Sequence, residues 1–124
     1  MISIIVPVYN EEEIISTFID NFFKNFHFHG KYELIFVNDG STDKTKDLIT
    51  GHMKKHKEIK LASYDNNKGL GHALRVGFQL AKGRVIVTMD SDLTHPPLFI
   101  PKLVMGVDKG YDVVIGSRYI ASGG

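Results

Sequence analysis

Short apolar runs alternate along the chain with longer segments whose apolar residues recur at helical spacing. The first run ends at Val8 and is followed by a segment in which Ile15, Ile19 and Phe22 share one helical face. Such alternation is typical of a mainly parallel sheet with helices on both faces, so we predict a three-layer αβα fold of the α/β class. The expected strands are residues 2–8, 33–37, 59–64, 85–89 and 113–115, and the expected helices are 15–26, 43–56, 70–81 and 96–110.

The size and composition of the chain exclude several classes of protein. With 124 residues, 43% of them hydrophobic, we expect residues 1–124 to bury one core and form a single domain. The formal net charge is +1 and the basic residues are dispersed, so we expect no nucleic-acid partner. The absence of cysteine excludes disulfides, thiolate metal sites and a cysteine nucleophile, and it agrees with a cytoplasmic protein.

The sequence predicts neither a signal peptide nor a membrane span. The opening apolar run has no basic leader, stops at Pro7 and leads into three glutamates. No other apolar run approaches the roughly 20 residues that a spanning helix needs. We therefore expect any membrane contact to be peripheral, at the cytoplasmic face, through a part of the protein outside this chain.

Polar residues follow the first two predicted strands, at the edge where open parallel sheets bind their ligands. Asn10 is expected to cap the first helix, and the next three glutamates to stabilise its first turn. Their negative charge argues against a dinucleotide fold, which leaves this turn open to pyrophosphate. After the second strand, Asp39 and Gly40 predict a tight turn, with Ser41 or Thr42 capping the next helix. The Asp39 carboxylate is also suited to accept hydrogen bonds from a base or ribose.

Two carboxylates, Asp90 and Asp92, follow the fourth predicted strand. Acidic groups leaving a buried strand are costly without compensating positive charge, and a hard cation such as Mg²⁺ or Mn²⁺ supplies it while taking phosphate oxygens as further ligands. An Asp-x-Asp pair by itself is also a common chance occurrence. His95 is either a ligand, a donor to a diphosphate or a turn residue before two prolines.

Three basic residues near the same predicted edge are candidates for binding phosphate. Lys68 and Arg75 belong to the loop and helix after the third strand, and Arg118 follows the fifth. A guanidinium is suited to bidentate contact with phosphate, but a solvated loop, an ordinary helical arginine and a structural ion pair explain these residues equally well. Two glycines at positions 69 and 71 fit a dinucleotide fingerprint poorly.

Taken together, five segments resemble glycosyltransferase family 2, and within it the transferases that use dolichyl and other polyprenyl phosphates. The resemblance covers essentially the whole chain and implies the Rossmann-like GT-A fold of nucleotide-diphospho-sugar transferases. The family's catalytic domain continues beyond the last of these segments, so we expect the fold to be incomplete at the carboxyl terminus. The segments are Ile5 to Glu11, Val37 to Asp43, Asn67 to Gly69, Asp90 to Pro97, and Gly116 to Tyr119.

The resemblance also implies roles for individual residues. It assigns Asp90 and Asp92 to catalysis and to the metal, Mg²⁺ or Mn²⁺, and Arg118 to the acceptor phosphate. Thr94 stands where relatives often carry glutamine, so a metal ligand from that position is not implied. The residues expected around the nucleotide are Pro7, Tyr9, Glu11, Val37, Asp39, Lys68 and Asp90.

The implied reaction is the inverting transfer of a sugar, mannose or glucose, from a GDP- or UDP-sugar to an acceptor. Polyprenyl or dolichyl phosphate is the expected acceptor, and a saccharide hydroxyl is the alternative. Two further interpretations stay open: a nucleotidyltransferase, against which Glu11 and its acidic neighbours argue, and a domain that binds nucleotide sugar without turnover.

Overall fold

The computed structural model describes residues 1–91 and the backbone of residues 112–115. Within these ranges, strands and helices alternate along the chain as the periodicity predicts. The elements are β1 (Ile2–Val8), α1 (Ile15–Asn25), β2 (Tyr32–Asp39), α2 (Thr45–Met53), β3 (Ile59–Tyr64), α3 (Leu70–Leu80), β4 (Val85–Thr88) and β5 (Asp112–Ile115).

The strands form one parallel sheet in the order β3-β2-β1-β4-β5. The chain moves outward from β1 to β3 and then crosses back through α3 to add β4 on the other side of β1. All carboxyl ends therefore lie at one edge of the sheet. The predicted mainly parallel sheet is confirmed.

The helices of the described region cover both faces of the sheet. On one face, α1 and α2 enclose a core built from alternate strand residues such as Ile4 and Phe36, with Phe18 and Phe22 of α1 fully buried against them. On the other face, α3 packs Ala73 against a smaller core that includes Ile5. Near-continuous apolar strands are expected where both faces are covered. The predicted αβα layering is confirmed.

Gly77 allows α3 to lie close to the centre of the sheet. A Cβ atom at this position would be 2.5 Å from Cγ2 of Ile5, a distance that real side chains do not tolerate. The small core under α3 is therefore thin, and the amino end of α3 is held near the carboxyl ends of β1 and β2.

Two elements differ from their predicted bounds by two or more residues. Strand β2 extends through Asp39, because the chain pairs with β3 up to its last residue, so Asp39 is a strand residue and not part of the turn. Helix α2 is shorter than expected and ends at Met53. The fourth predicted helix, 96–110, lies outside the described residues. No helix in the described part of the chain has the length and apolar character needed to cross a bilayer.

Candidate functional site: a cleft at the carboxyl edge of the sheet

A cleft of about 260 Å³ opens at the carboxyl edge of the sheet. Its walls come from the residues that follow β1, from the end of β2, and from the loop between β3 and α3. Ligands of open parallel sheets bind at this edge. The lining residues are Pro7, Val8, Tyr9, Glu11, Asp39, Asn67, Gly69, Leu70 and Ala73.

A larger groove of about 710 Å³ lies at the opposite edge of the sheet. It is lined by residues at the starts of β1, β2 and β3, including Met1 and Tyr32, and by Leu80 at the end of α3. Within residues 1–91, none of the polar segments that follow the strands lines this groove. We therefore take the smaller cleft as the candidate functional site.

The β1–α1 loop is held by hydrogen bonds to the β2–α2 loop. The backbone N–H of Asn10 donates to Oγ of Ser41 (2.8 Å), and the N–H of Thr42 donates back to Oδ1 of Asn10 (2.8 Å). Asn10 has φ +50°, a left-handed conformation that asparagine tolerates better than most residues. This reciprocal pair fixes Tyr9 and Glu11 at the mouth of the cleft.

A second set of hydrogen bonds extends this contact. The N–H of Glu12 donates to Oδ2 of Asp43 (3.2 Å), and Oε1 of Glu12 accepts from the N–H of Lys44 (2.9 Å). The N–H of Glu11 donates to Oγ1 of Thr45 (2.9 Å). Burial alone would raise the pKa of Asp43, but hydrogen bonds from Thr45 and from the Glu12 backbone hold it below its ordinary value.

These contacts correct the expected helix caps. Helix α1 begins at Ile15, its first turn contains no acidic residue, and Asn10 does not cap it. Ser41 and Thr42 do not cap α2. The polar side chains are used between the two loops instead, because each loop offers the other unpaired N–H groups at close range.

Asp39 is 5% exposed and lies where the walls of the cleft meet. Its Oδ1 accepts hydrogen bonds from Oη of Tyr64 (2.6 Å) and N of Lys68 (2.9 Å). Its Oδ2 accepts from Nδ2 of Asn67 (2.8 Å) and N of Gly69 (3.0 Å). A carboxylate offers about four lone-pair sites. The four hydrogen bonds from β3 and from the loop between β3 and α3 therefore use its acceptor capacity.

The surroundings of Asp39 keep it ionised. Burial would raise its pKa, but hydrogen bonds from Tyr64, Lys68 and Gly69, together with the charge of His72, hold that pKa below its ordinary value. Burial and then the contact with Asp39 raise the pKa of Tyr64, so the phenol stays protonated and remains a donor. A negative charge is therefore fixed at the centre of the cleft wall.

Gly40 brings the turn after β2 against the loop between β3 and α3. Its φ is +72°, and a Cβ atom there would lie 2.3 Å from the backbone nitrogen of Asn67. Only glycine combines this backbone conformation with this approach. Gly40 therefore allows the loop that binds Asp39 to pack closely against the turn after β2.

The candidate metal ligands are described in part. Asp90 is exposed and follows β4, where the N–H of Met89 still donates to the carbonyl of Ile5 at 3.0 Å. Its position at the carboxyl edge and its hard oxygen donors fit Mg²⁺ or Mn²⁺. Residues 1–91 bring together no three His, Cys, Asp or Glu side chains as a metal site. Asp92 and Arg118 lie outside the described residues, as do Thr94 and His95.

The structure brings four of the residues expected around the nucleotide to one cleft: Pro7, Tyr9, Glu11 and Asp39. Val37 does not reach it, because its side chain is fully buried in the core under α3. Lys68 contributes its backbone N–H to Asp39, while its ammonium lies 5.7 Å from the centre of the Tyr64 ring. Asp90 follows β4, on the other side of β1 from the cleft.

With this geometry established, comparison with known proteins identifies the family. The profile of the protein family described as "Glycosyl transferase family 2" matches residues 3–124. The chain belongs to this family. The resemblance found in the sequence is therefore confirmed.

Two relatives illustrate the match at the sequence level. The chain is 40% identical over 126 residues to a dolichol-phosphate mannosyltransferase of Pyrococcus furiosus, covering 98% of this chain and 34% of the relative. It is 40% identical over 115 residues to an undecaprenyl-phosphate 4-deoxy-4-formamido-L-arabinose transferase of Pectobacterium atrosepticum, covering 91% of this chain and 35% of the relative. The chain thus spans about a third of the length of the curated relatives it matches.

Two solved structures share the fold. The mannosyltransferase PcManGT of Pyrobaculum calidifontis, in complex with GDP-Man and Mn²⁺, superimposes with a TM-score of 0.70 at 28% identity, covering 79% of this chain and 29% of that one. Glucosyl-3-phosphoglycerate synthase of Mycobacterium tuberculosis, in complex with Mn²⁺, UDP and glucosyl-3-phosphoglycerate, gives 0.69 at 29% identity, covering 89% and 40%. The expected GT-A fold of this family 2 chain is confirmed.

Sequence reasoning missed several residues that shape the cleft. Leu70 and Ala73 line it from the first turns of α3, and Leu70 is 48% exposed there. Tyr64 does not line the cleft but donates a hydrogen bond to Asp39, which does. The glycines at 69 and 71 indicate the loop between β3 and α3. The contact of Tyr64 with Asp39 depends on the pairing of β2 with β3, which no local sequence pattern predicts.

Proposed function

We propose that this family 2 protein is an inverting glycosyltransferase that binds a nucleoside diphosphate sugar at the carboxyl edge of the sheet and transfers the sugar to polyprenyl phosphate. The observation that carries the proposal is the cleft itself. It joins Tyr9 and Glu11 of the first loop to the buried, ionised Asp39 at the end of β2. The aromatic ring of Tyr9 suits the flat base of GDP or UDP, and the fixed negative charge of Asp39 favours a nucleoside rich in hydrogen-bond donors beside it.

In this proposal the nucleoside half of the donor occupies the cleft, and the diphosphate extends across β1 toward Asp90. The strand order supports this division, because β4 lies directly beside β1 and the cleft lies on its other side. Asp90, with Asp92, would hold Mg²⁺ or Mn²⁺, which neutralises the negative charge that develops on the departing diphosphate. The solved relatives in complex with Mn²⁺ support a divalent ion.

The acceptor is proposed from chemistry and from the names of the relatives. Two relatives are named for dolichol phosphate and undecaprenyl phosphate. A lipid phosphate is ionised at neutral pH and needs no strong general base. A saccharide hydroxyl needs a general base to remove its proton. Arg118 is proposed to align that phosphate, and mannose or glucose is the proposed sugar. We place the reaction at the cytoplasmic face of a membrane, where a lipid acceptor is reached.

Calorimetry on the chain tests the donor site. GDP or UDP should bind far more tightly with Mn²⁺ or Mg²⁺ than in excess EDTA, since carboxylates and a diphosphate repel each other without a cation. Asp90→Asn should lose most of the metal-dependent gain. Asp20→Asn, at a 73% exposed side chain on α1, is the matched control and should keep it. Equal affinity in EDTA would reject the metal role.

Turnover is tested separately with the full-length protein. Radiolabelled donor is incubated with polyprenyl phosphate or with a saccharide acceptor, and the anomeric configuration of the product is read by NMR. Transfer to the lipid phosphate with inversion supports the proposal. Transfer only to the saccharide would replace the acceptor, and donor binding without transfer would favour the nucleotide-sugar-binding alternative.

A further inference from the structure

Tyr64 and Asp39 are the last residues of neighbouring parallel strands and are paired in register. Paired residues of parallel strands present their side chains to the same face of the sheet. Tyr64 accordingly packs against the core under α3, the side on which α3 and its preceding loop lie. The pairing of β2 with β3 therefore brings the phenol of Tyr64 next to the carboxylate of Asp39.

The hydroxyl of Tyr64 makes a short hydrogen bond to Asp39. The distance from Oη to Oδ1 is 2.6 Å, in the range of charge-assisted O–H···O⁻ bonds. The same carboxylate holds the N–H groups of Lys68 and Gly69. Tyr64 therefore helps to orient Asp39 and, through it, the wall formed by Asn67 and Gly69.

The ring of Tyr64 organises two further groups. Nζ of Lys68 lies 5.7 Å from the ring centroid, within the range of a cation–π contact. The imidazole of His72 meets the ring edge-on, with centroids 5.1 Å apart and planes at 84°. One acidic, one basic and one imidazole side chain, from β2, the loop and α3, thus converge on a single phenol.

We propose that Tyr64 is a positioning residue for nucleotide-sugar binding: its hydroxyl orients the Asp39 carboxylate, and its ring holds Lys68 and His72 beside the cleft. Tyr64 does not itself line the cleft, so it acts through these neighbours. The inference rests on the proposed function, because it assigns to Tyr64 a part in the donor site.

Nucleotide titration of Tyr64→Phe tests the inference. The substitution keeps the ring and removes Oη, and it should raise the Kd for GDP or UDP with Mn²⁺ by about 3- to 10-fold. This is the size of one ordinary net hydrogen bond, because Tyr64 acts through Asp39 and three other hydrogen bonds still hold that carboxylate. The matched control is Tyr32→Phe, at the opposite edge of the sheet, which should leave the Kd unchanged. Circular dichroism and the urea midpoint establish that each variant is folded at the assay temperature.

Two readouts separate positioning from a merely structural role. In an Asp39→Asn background, Tyr64→Phe should have little further effect, because the two residues act as one unit. The acid limb of nucleotide binding should also move to higher pH in Tyr64→Phe, because Asp39 loses a hydrogen bond that lowers its pKa. His72 and Lys68 remain in both proteins, so the shift reports on Asp39.

The outcomes distinguish the inference from the function on which it rests. If the unmodified chain binds nucleotide and Tyr64→Phe binds it equally well, the inference is wrong and the donor site stands. Additive effects of Tyr64→Phe and Asp39→Asn would overturn it as well. If the unmodified chain binds no nucleotide with either metal, the proposed function fails, and the inference fails with it.

Discussion

Asn10 offers a direct test of how the two loops beside the cleft are held together. Its side chain accepts the N–H of Thr42 at 2.8 Å, and its backbone has φ +50°. Replacing it removes a hydrogen bond and, for most residues, adds strain from the left-handed backbone. Alanine loses the hydrogen bond and adds backbone strain. Glycine loses only the hydrogen bond, because glycine adopts positive φ readily.

The expected magnitudes follow from these two terms. Loss of the hydrogen bond costs about 1 kcal/mol of the free energy of unfolding. The left-handed conformation costs a residue with a Cβ atom roughly 1–2 kcal/mol, part of which asparagine already bears. Asn10→Ala should therefore destabilise the chain by about 2 kcal/mol, and Asn10→Gly by about 1 kcal/mol.

Urea denaturation followed by circular dichroism measures both variants. The matched control is Asn25→Ala at the exposed end of α1, where the side chain bonds only the preceding turn, and it should change stability by less than about 0.5 kcal/mol. Equal destabilisation by alanine and glycine would refute the strain term. Stability unchanged in both would refute the contact between the loops.

Two further predictions concern stability. Because the folded chain holds the pKa values of Asp39 and Asp43 below their ordinary range, the stability that these groups contribute is present above about pH 4 and is lost as pH falls further. Urea midpoints measured from pH 6 to pH 3 should show this loss, with a shallower slope in Asp39→Asn; equal slopes would contradict it. Gly77→Ala should destabilise by about 1–3 kcal/mol because its Cβ meets Ile5, whereas Gly51→Ala, in open space on α2, should stabilise slightly. Destabilisation of the same size in both would mean that the close approach of α3 is not the cause.

The arrangement of the fold was predictable because it depends on local periodicity. The apolar face of α1 and the run of β1 each follow from residues a few positions apart, and the observed β3 matches its predicted bounds. The alternation of strands and helices predicts that the strands pair in parallel. Parallel pairing then predicts that ligands bind at the carboxyl edge of the sheet. Four of the residues expected around the nucleotide consequently meet in one cleft.

The details that differ depend on partners far away in the sequence. The sequence predicts that Asn10 caps its own helix, but its hydrogen-bond partners are 31 and 32 residues further along. The sequence predicts Asp39 in a turn, but pairing with β3 extends strand β2 through it. Tyr64 gives no local signal, since an aromatic residue at the end of a strand is ordinary. Such contacts become visible only once the strands are in register.

The order of the strands separates the two halves of the proposed site along the gene. Every described residue that lines the cleft lies between Pro7 and Ala73, on β1, β2 and the path into α3, whereas Asp90 follows β4 on the far side of β1. A recombination event that exchanges the sequence after Ala73 would keep the cleft lining intact while replacing the acidic pair. Under the proposed function, the recognition of the nucleoside and the chemistry of transfer are encoded in consecutive stretches, which can diverge at different rates.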